Sequence, residues 1–508
     1  MIFFRRIGPG PALFVVLWLT LLAAGSRFLR DPGMFWHTVV GDKILRGEFV
    51  DRDPFTFTRF GEPWVPYQWL GEVAMAALHR IGGLDSLLVA ATAIVAGLFA
   101  WLAAKLIRTG LHPIFALGVT LLALAAASTH FHVRPHLFTM LGMAVTMRAI
   151  LAFDSGGSGL RKLAWLVPFY LVWTNVHGGM LGGLTTLGLA LAGWLAFRAL
   201  GWNSPLRTPR TVIGLSAVGI ACALTAFATP YGDGVFRTWM YIYSGMPRLP
   251  EIIAEHARLD FADPHAWPML AFGALYLAAL AGVPRGELRV AWLIPLFWLV
   301  QACLRVRHGS LFAIVGTVAL IDLWPHTRYA LWLARKRPDV YAPKLPVAGT
   351  TRGIVVTACA CVALALAVQA VRLPVPLVGT GCAQLDPDLW PTDALVELKK
   401  HEPKSPGDGK KIFCEYIYGG YIEYHCPGYR VFVDDRCEVF GDDWLVDYVN
   451  AERDGTADAM RRWQAEYGRF DSALTANPSG YGDYFEQRPD EWEMVTKTER
   501  VRFFVRKR

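Results

Sequence analysis

Apolar residues gather into long blocks along most of the chain, separated by short polar turns, and the pattern stops near Val371. Most blocks are roughly 15 to 22 residues long, the length an α-helix needs to cross about 30 Å of hydrocarbon. Tryptophan often lies at the block ends, as at Trp173, Trp267 and Trp324, which is typical of a membrane interface. The pattern predicts an α-helical polytopic membrane protein with about 11 transmembrane helices, given the number of blocks.

The blocks define the predicted helices, and we expect the first to remain uncleaved because further blocks follow it. The predicted bounds are Pro11–Leu29, Ser86–Ile107, Pro113–Ser128, Leu137–Phe153, Leu163–Trp173, Met180–Leu200, Val212–Ala228, Trp267–Val283, Val290–Leu304, Leu311–Leu323 and Gly353–Val371. Two longer polar segments, residues 30–85 and 229–266, interrupt them. In the first segment, Trp36, Val40 and Ile44 recur at helical spacing and predict an amphipathic helix lying in the interface.

The polar turns alternate in charge. Every second turn is rich in basic residues, namely Lys105 and Arg108, Arg161 and Lys162, Arg198, Arg207 and Arg210, Arg285 and Arg289, and several in 328–352. Basic turns stay on the cytoplasmic side of a membrane. We therefore predict a cytoplasmic N-terminus, outer loops at 30–85 and 229–266, and an extracytoplasmic C-terminus.

The chain after Leu373 has the composition of a soluble globular domain. Its pattern predicts a helix at Asp393–Lys400, strands at Lys411–Ile417, Tyr421–Tyr424 and Tyr429–Val433 with a turn at Gly419-Gly420, and a hairpin of Trp492–Val495 and Arg500–Val505. We therefore predict a transmembrane domain over 1–372 and a small extracytoplasmic α/β domain over 373–508.

Composition supports the membrane prediction and argues against nucleic acid as a partner. The chain is 54% hydrophobic and 18% charged, with a net charge of +8. The basic residues lie in the turns and form no contiguous patch with interleaved aromatics, so we expect no nucleic-acid binding. Half of the eight cysteines lie in the C-terminal domain, at Cys382, Cys414, Cys426 and Cys437. In an exported domain they would permit two disulfides.

The predicted outer turns collect the unusual polar residues. These are Asp31, His37, Asp51, Asp53, His130, His132, Arg134, His136, Asn175, His177, Tyr231, Asp233, Arg305, Arg307 and His308. Ionisable groups at the edge of a membrane are costly and tend to mark substrate paths. Arg305 and Arg307 depart from the charge pattern in a short outer turn. Because a guanidinium fits phosphate, these two residues and Arg134 predict an anion site.

The histidines and the carboxylates each leave two interpretations open. His130, His132 and His136 either bind a divalent metal or donate hydrogen bonds to phosphate or sugar hydroxyls; no acidic residue completes a ligand motif beside them. Asp31 and Asp53 each precede a proline, so each is either a turn residue or a general base.

Short motifs spread over nearly the whole chain resemble the GT-C superfamily of polytopic membrane glycosyltransferases. The motifs are Asp31 to His37 with Gly41, Asp53 to Thr58, Trp64, Trp69-Leu70, Arg134-Pro135, Asn175 to Gly179, Pro230-Tyr231-Gly232, Arg307-His308, Gly419-Gly420-Tyr421 and Val433 to Arg436. More closely, they are similar to a bacterial, largely uncharacterised group akin to the dolichyl-phosphate-mannose–protein mannosyltransferases.

The resemblance implies an inverting glycosyltransferase of the bacterial plasma (inner) membrane. Its donor would be a polyprenyl-phosphate-sugar carrying a hexose or pentose, and its acceptor a glycan, lipid or protein on the extracytoplasmic face. Asp31 best matches the superfamily's catalytic base and Asp53 is second, although Pro32 stands where superfamily members often have a second acid. The predicted substrate-binding residues are His37, His132, Arg134, Asn175, His177, Tyr231, Arg305, Arg307 and His308.

Two other functions are compatible with the sequence. A transporter or flippase of a lipid-linked solute would have internal repeats and broken helices near mid-membrane. A non-catalytic GT-C-like protein would bind membrane lipid or a partner without chemistry, which the missing second acid favours.

Overall fold

The computed structural model describes residues 9–343, 350–404 and 409–507. Within these ranges every predicted apolar block overlaps a helix. Helices satisfy their own backbone groups, as a chain in lipid requires. The helices are α1 Pro9–Ala23, α2 Gly33–Leu45, α3 Trp69–Gly82, α4 Leu84–Arg108, α5 Pro113–Ala127, α6 Leu137–Asp154, α7 Leu160–Leu163, α8 Leu166–Val176, α9 Met180–Ala199, α10 Pro209–Leu224, α11 Gly234–Met240, α12 Leu249–Ile252, α13 Trp267–Ala281, α14 Ile294–Leu304, α15 Gly309–Leu323, α16 Arg328–Lys336, α17 Thr350–Ala370, α18 Leu395–His401, α19 Gly419–His425, α20 Cys437–Phe440, α21 Asp442–Asp454, α22 Thr456–Tyr467 and α23 Gly480–Glu486.

Eight helical segments in the described part of the chain are long and apolar enough to cross a membrane. Helices α1 and α8 and the segment Val290–Leu304, which contains α14, are apolar but shorter. The prediction of a polytopic α-helical membrane protein with a small C-terminal sheet domain is confirmed.

The helix connections gather at two opposite ends of the bundle. At one end Asp154 accepts hydrogen bonds from Trp194 Nε1 at 2.7 Å and Ala291 N at 3.0 Å. At the other end Val133 N donates to Phe28 O at 3.0 Å. This second end, called the site end below, holds residues 24–83, 128–136, 177–179, 225–266, 305–308 and the C-terminal domain. The connections alternate between the two ends in the order that the alternating basic turns of the sequence predict. Which end faces the cytoplasm stays a prediction.

The C-terminal domain contains a five-stranded sheet in the order β2-β1-β3-β5-β4. The strands are β1 Lys410–Cys414, β2 Tyr429–Val431, β3 Ser472–Ala476, β4 Trp492–Lys497 and β5 Val501–Arg506. Strand β1 pairs in parallel with β2 and β3, whereas β5 pairs antiparallel with β3 and β4. Alternate side chains fill two cores, with Phe413 on one face of the sheet and Ile412 and Cys414 on the other. The terminal hairpin and the helix near Asp393 form where the sequence predicts them.

The predicted strand at Tyr421–Tyr424 is wrong, because these residues belong to α19. The pair Gly419-Gly420 begins this helix rather than forming a turn between strands. A Cβ at Gly419 would lie 2.3 Å from Val433 O, and one at Gly420 would lie 2.6 Å from Pro32 O. The two glycines therefore let α19 pack directly against the backbone of its own domain and of the first outer loop.

Helix α2 forms at the position of the predicted amphipathic helix, but protein covers most of it. Phe35, Trp36 and Val40 are buried. A Cβ at Gly41 would lie 2.0 Å from Glu72 O, so α2 and α3 cross in direct backbone contact. The apolar residues that suggest a membrane surface thus pack against α3 and the C-terminal domain.

The cysteines are all free thiols. Cys414 and Cys426 are buried in one core of the C-terminal domain. The structure does not form the two disulfides that an exported domain would permit, and these thiols act there as small apolar side chains.

Candidate functional site

An ion pair between Asp31 and Arg134 lies at the site end of the bundle. Asp31 Oδ2 lies 3.0 Å from Arg134 Nη1, and Asp31 Oδ1 accepts a hydrogen bond from Gly33 N at 2.8 Å. The second bond closes a turn at the start of α2 and fixes the carboxylate. A Cβ at Gly33 would lie 2.8 Å from Asp31 Oδ1 and 3.0 Å from Arg134 Nε, so glycine leaves room for the pair. Both interpretations of Asp31, turn residue and candidate base, fit this geometry.

The second outer segment adds an acidic residue to this pair. Glu255 Oε1 lies 3.9 Å from Arg134 Nη1, and Glu255 Oε2 lies 3.7 Å from His130 Nδ1. Although burial opposes ionisation, Arg307 and Arg134 lower the pKa of Glu255 to about 2. Arg307 Nη1 donates to His256 Nε2 at 2.5 Å. Two arginines thus flank one ionised carboxylate. Glu255 is not among the residues predicted from the sequence, because its segment carries no recognisable motif.

Four histidines lie beside these charges. The ring centres of His130 and His136 are 4.4 Å apart, and His132 and His177 each lie 6.3 Å from His136. His136 Nε2 donates to the carbonyl of His130 at 2.7 Å, which ties the turn between α5 and α6 together. The cluster therefore follows from that turn and from the short connection between α8 and α9.

The hydrogen bonds of His177 fix its tautomer. Its Nδ1 accepts from Gly179 N at 2.9 Å and lies 2.8 Å from Thr139 Oγ1. Trp173 Nε1 donates to the same Thr139 oxygen at 3.0 Å, which directs the threonine proton to His177. Burial and the positive charges of Arg307 and Arg134 lower the pKa of His177 to about 3. The imidazole is thus neutral at physiological pH and carries its proton on Nε2, as a hydrogen-bond donor.

Asp53 makes a structural contact with the C-terminal domain. Its Oδ1 lies 2.6 Å from Arg436 Nη2, and its Oδ2 accepts from Thr56 Oγ1 at 2.6 Å. Arg436 also pairs with Asp434, and all three side chains are fully buried. Both Asp53 oxygens are therefore engaged away from solvent, a poor position for a base that must reach an acceptor.

His37 is buried with an acidic partner. Its Nδ1 lies 2.9 Å from Glu72 Oε1, and neither side chain is exposed. Burial lowers the pKa of His37 and raises that of Glu72, so the pair shares one proton and is neutral. Among the described residues, His37 Nε2 and Glu72 Oε2 have no hydrogen-bond partner. This predicted substrate-binding residue lies behind the surface of the site.

The other predicted residues differ in their availability. Asn175 donates to the carbonyls of Leu171 and Ala228 and accepts from Trp69 Nε1 at 2.7 Å, so its amide holds two outer loops together. Tyr231 stacks on Phe49 with ring centres 5.0 Å apart. Arg305 and His308 are half-buried beside Arg307, and Asp51 is exposed. These residues lie at the site end, and their role in binding stays a prediction.

The C-terminal domain reaches the same site. Trp36 Nε1 donates to Asp435 Oδ1 at 2.8 Å, and Trp64 Nε1 donates to Glu438 Oε1 at 3.1 Å. These contacts join residues more than 370 positions apart, which no local sequence pattern could reveal.

Over residues 9–343, 350–404 and 409–507, no group of three or more His, Cys, Asp or Glu side chains is placed to hold a metal ion.

No protein-family model and no curated protein matches the chain. Among solved structures, it is similar to the archaeal oligosaccharyltransferase AglB from Archaeoglobus fulgidus in complex with an inhibitory peptide and a dolichol-phosphate. That match has 12% identity and a TM-score of 0.52, and it covers 92% of this chain and 69% of the other. The Archaeoglobus fulgidus enzyme tethered to an acceptor peptide gives 11% identity, a TM-score of 0.50, and coverage of 91% and 69%.

ArnT from Cupriavidus metallidurans bound to undecaprenyl phosphate matches at 13% identity with a TM-score of 0.49, over 97% of each chain. The oligosaccharyltransferase AglB, which matches with a TM-score of 0.52, has the fold of the GT-C glycosyltransferases. The fold of this chain is therefore the GT-C fold, and the expectation from the sequence motifs is confirmed at that level.

Proposed function

We propose that the protein is a glycosyltransferase that moves a sugar from a polyprenyl-phosphate-linked donor to an acceptor on the extracytoplasmic face. The observation that carries this proposal is the Asp31–Arg134 ion pair beside Glu255 and Arg307, at one end of a GT-C fold. A carboxylate and two guanidinium groups at a membrane edge are the groups that a lipid-borne phosphate and a soluble nucleophile require together.

Asp31 is the proposed base. An acceptor hydroxyl attacks the anomeric carbon of the donor, the carbon–oxygen bond to the phosphate breaks, and the phosphate leaves with the electron pair. The hydroxyl proton passes to Asp31. Its oxygens already receive bonds from Gly33 N and Arg134. A carboxylate has about four lone-pair sites, so it can accept one more hydrogen bond.

The arginines stabilise the leaving phosphate. Arg134 lies at the start of α6, and Arg307 lies between α14 and α15, so two separate turns would hold the anion. Asp31 and Glu255 outweigh burial and raise the pKa of Arg134, which keeps its charge fixed. The neutral His177 adds a donor on Nε2, and Arg305 extends the positive surface. Oriented donors in a water-poor site stabilise developing charge strongly.

The structure of AglB contains a dolichol-phosphate and a peptide, which supports a lipid phosphate and an acceptor as partners here as well. The C-terminal domain covers one side of the site through Trp36 and Trp64, so it would help to bind the acceptor. The proposed location is the bacterial plasma membrane, with this domain outside.

The test uses the full chain in lipid nanodiscs with undecaprenyl-phosphate hexoses and pentoses. Release of undecaprenyl phosphate, with water as a slow acceptor, is measured by mass spectrometry. We expect release by the wild type and a loss of roughly 100-fold or more in Asp31→Asn, because proton abstraction contributes about that much. Asp233→Asn, in an exposed pair with Arg237, is the matched control and should keep wild-type release. Equal release by the wild type and Asp31→Asn would contradict Asp31 as base.

A further inference from the structure

Asp435 is held at the site by the C-terminal domain. It lies between Asp434 and Arg436, whose ion pair is completely buried and is joined to Asp53 of the first outer loop. The same loop pairs with the edge of the sheet, since Phe57 N donates to Val431 O at 3.0 Å and Val431 N donates to Phe55 O at 3.1 Å. The segment that carries Asp435 is therefore fixed relative to α2.

One carboxyl oxygen of Asp435 remains available. Oδ1 accepts from Trp36 Nε1 at 2.8 Å, and the backbone carbonyl accepts from Tyr416 at 3.3 Å. Asp435 is half-buried, and its Oδ2 has no hydrogen-bond partner among the described residues and is not among the sealed, unsatisfied atoms. A held carboxyl group with one accessible, unpartnered oxygen has the form of a ligand-binding group.

The charges around Asp435 are those of the proposed catalytic site. Burial and the carboxylate of Asp31 raise the pKa of Asp435 to about 8, against the opposing effect of Arg134. At neutral pH its side chain is therefore mostly a neutral acid, with a proton to donate. A neutral acid can hydrogen-bond to a phosphate, whereas an ionised one repels it.

We propose that Asp435 is a phosphate-binding residue, which donates a hydrogen bond from Oδ2 to the phosphate of the lipid-linked donor. This inference rests on the proposed function. It makes the C-terminal domain part of the donor site, and it places a second acid beside Asp31, where the sequence after Asp31 has Pro32. Asp435 keeps its proton during transfer, and the acceptor proton still passes to Asp31.

The groups that face Asp435 define the pH range of a test. They are Asp31 before α2, Arg134 before α6, Tyr416 before α19, Glu255 near Tyr416 and Cys437, and Asp434, Arg436, Cys437 and Glu438 on its own segment. The guanidinium of Arg134 and the carboxyl groups of Asp31 and Asp434 act directly on the pKa of Asp435. Glu255, with a pKa of about 2, and the thiol and phenol, whose pKa values burial raises, keep their charge states near pH 8.

The experiment measures the affinity of the full chain in nanodiscs for undecaprenyl phosphate between pH 7 and pH 9. We expect wild-type affinity to fall roughly tenfold or more across this range, because a donor to a charged phosphate is lost. Asp435→Asn retains a neutral hydrogen-bond donor, and its side-chain oxygen can still accept the hydrogen bond from Trp36. This variant should therefore bind undecaprenyl phosphate like the wild type at pH 7, and its affinity should change little by pH 9. Asp435→Ala should bind roughly tenfold more weakly at pH 7.

The exposed Asp443→Asn, in the same domain, is the control and should follow the wild type. Thermal unfolding of each variant verifies that it is folded. Equal pH dependence in the wild type and Asp435→Asn, or wild-type affinity in Asp435→Ala, would overturn the role of Asp435 and leave the proposed function standing. Failure of the wild type to bind undecaprenyl phosphate at any of these pH values would overturn both.

Discussion

Substitution of Arg436 tests whether Asp53 has a structural role, in contrast to the catalytic role proposed for Asp31. The Arg436 guanidinium pairs with Asp53 at 2.6 Å and with Asp434 at 2.5 Å, and it lies 4.4 Å from the ring centre of Trp64. Arg436→Met keeps most of the aliphatic stem and leaves two buried carboxylates without a cation. Loss of one partner from a buried ion pair costs about 3–5 kcal/mol.

Tryptophan fluorescence during heating in nanodiscs reports the unfolding of the C-terminal domain. For a domain that spans residues 373–508, each kcal/mol shifts Tm by a few degrees, so we expect Arg436→Met to unfold on the order of 10 °C below the wild type. The control is Arg461→Met, which removes an exposed arginine paired with Asp458. Its Tm should remain near that of the wild type, because exposed ion pairs contribute little.

Combining Arg436→Met with Asp53→Asn and Asp434→Asn should recover part of the lost Tm, since the buried charges disappear with their cation. A Tm for Arg436→Met within about 2 °C of the wild type would refute the structural role of the pair. If Asp53→Asn lost the release of undecaprenyl phosphate but kept the wild-type Tm, that result would instead identify Asp53 as the base.

Three further predictions test packing and charge. Gly41→Ala places a methyl 2.0 Å from Glu72 O, so we expect a loss of about 1–3 kcal/mol on thermal unfolding; Gly118→Ala, which meets nothing within 4 Å, should lose none. His177→Gln keeps a hydrogen-bond donor and should retain the wild-type rate of undecaprenyl phosphate release at pH 5 to 8. His177→Ala should reduce this rate roughly tenfold or more. Equal rates for the two variants would exclude donation from Nε2. Glu255→Gln should tighten undecaprenyl phosphate binding several-fold by freeing the neighbouring arginines; weaker binding that is also sensitive to a chelator would favour a divalent metal there.

The transmembrane part of the fold follows closely from the sequence, because continuous apolar blocks dictate where helices can form in lipid. The block Ser86–Ile107 becomes α4 over Leu84–Arg108, and even the short block Leu163–Trp173 overlaps α8 over Leu166–Val176. The hairpin of β4 and β5 is equally local, since alternating side chains flank a polar turn. At Tyr421–Tyr424 a helix forms in place of the predicted strand. The packing of this helix depends on distant backbone contacts of Gly419 and Gly420, which only the folded chain reveals.

The candidate site was only partly predictable for the same reason. Asp31 and Arg134 stand out as charges beside apolar blocks, although their ion pair spans 103 positions. Glu255 lies in ordinary polar sequence, and Asp435 lies in the motif Val433 to Arg436, to which the sequence assigned no role. Only tertiary packing brings these two residues to Arg134. His37 and Asp53 have the residue types of a site but are buried, since burial depends on what covers α2 and the first outer loop.

The central claim is that a lipid phosphate binds beside Asp31, and a cryo-EM structure of the full chain in nanodiscs with undecaprenyl phosphate tests it most directly. We predict phosphate density within hydrogen-bond distance, about 3 Å, of Arg134 or Arg307, in a cavity that Asp31 also faces. Phosphate bound at the opposite end of the bundle, or along a path through mid-membrane remote from Asp31, would contradict glycosyl transfer at this site and favour transport.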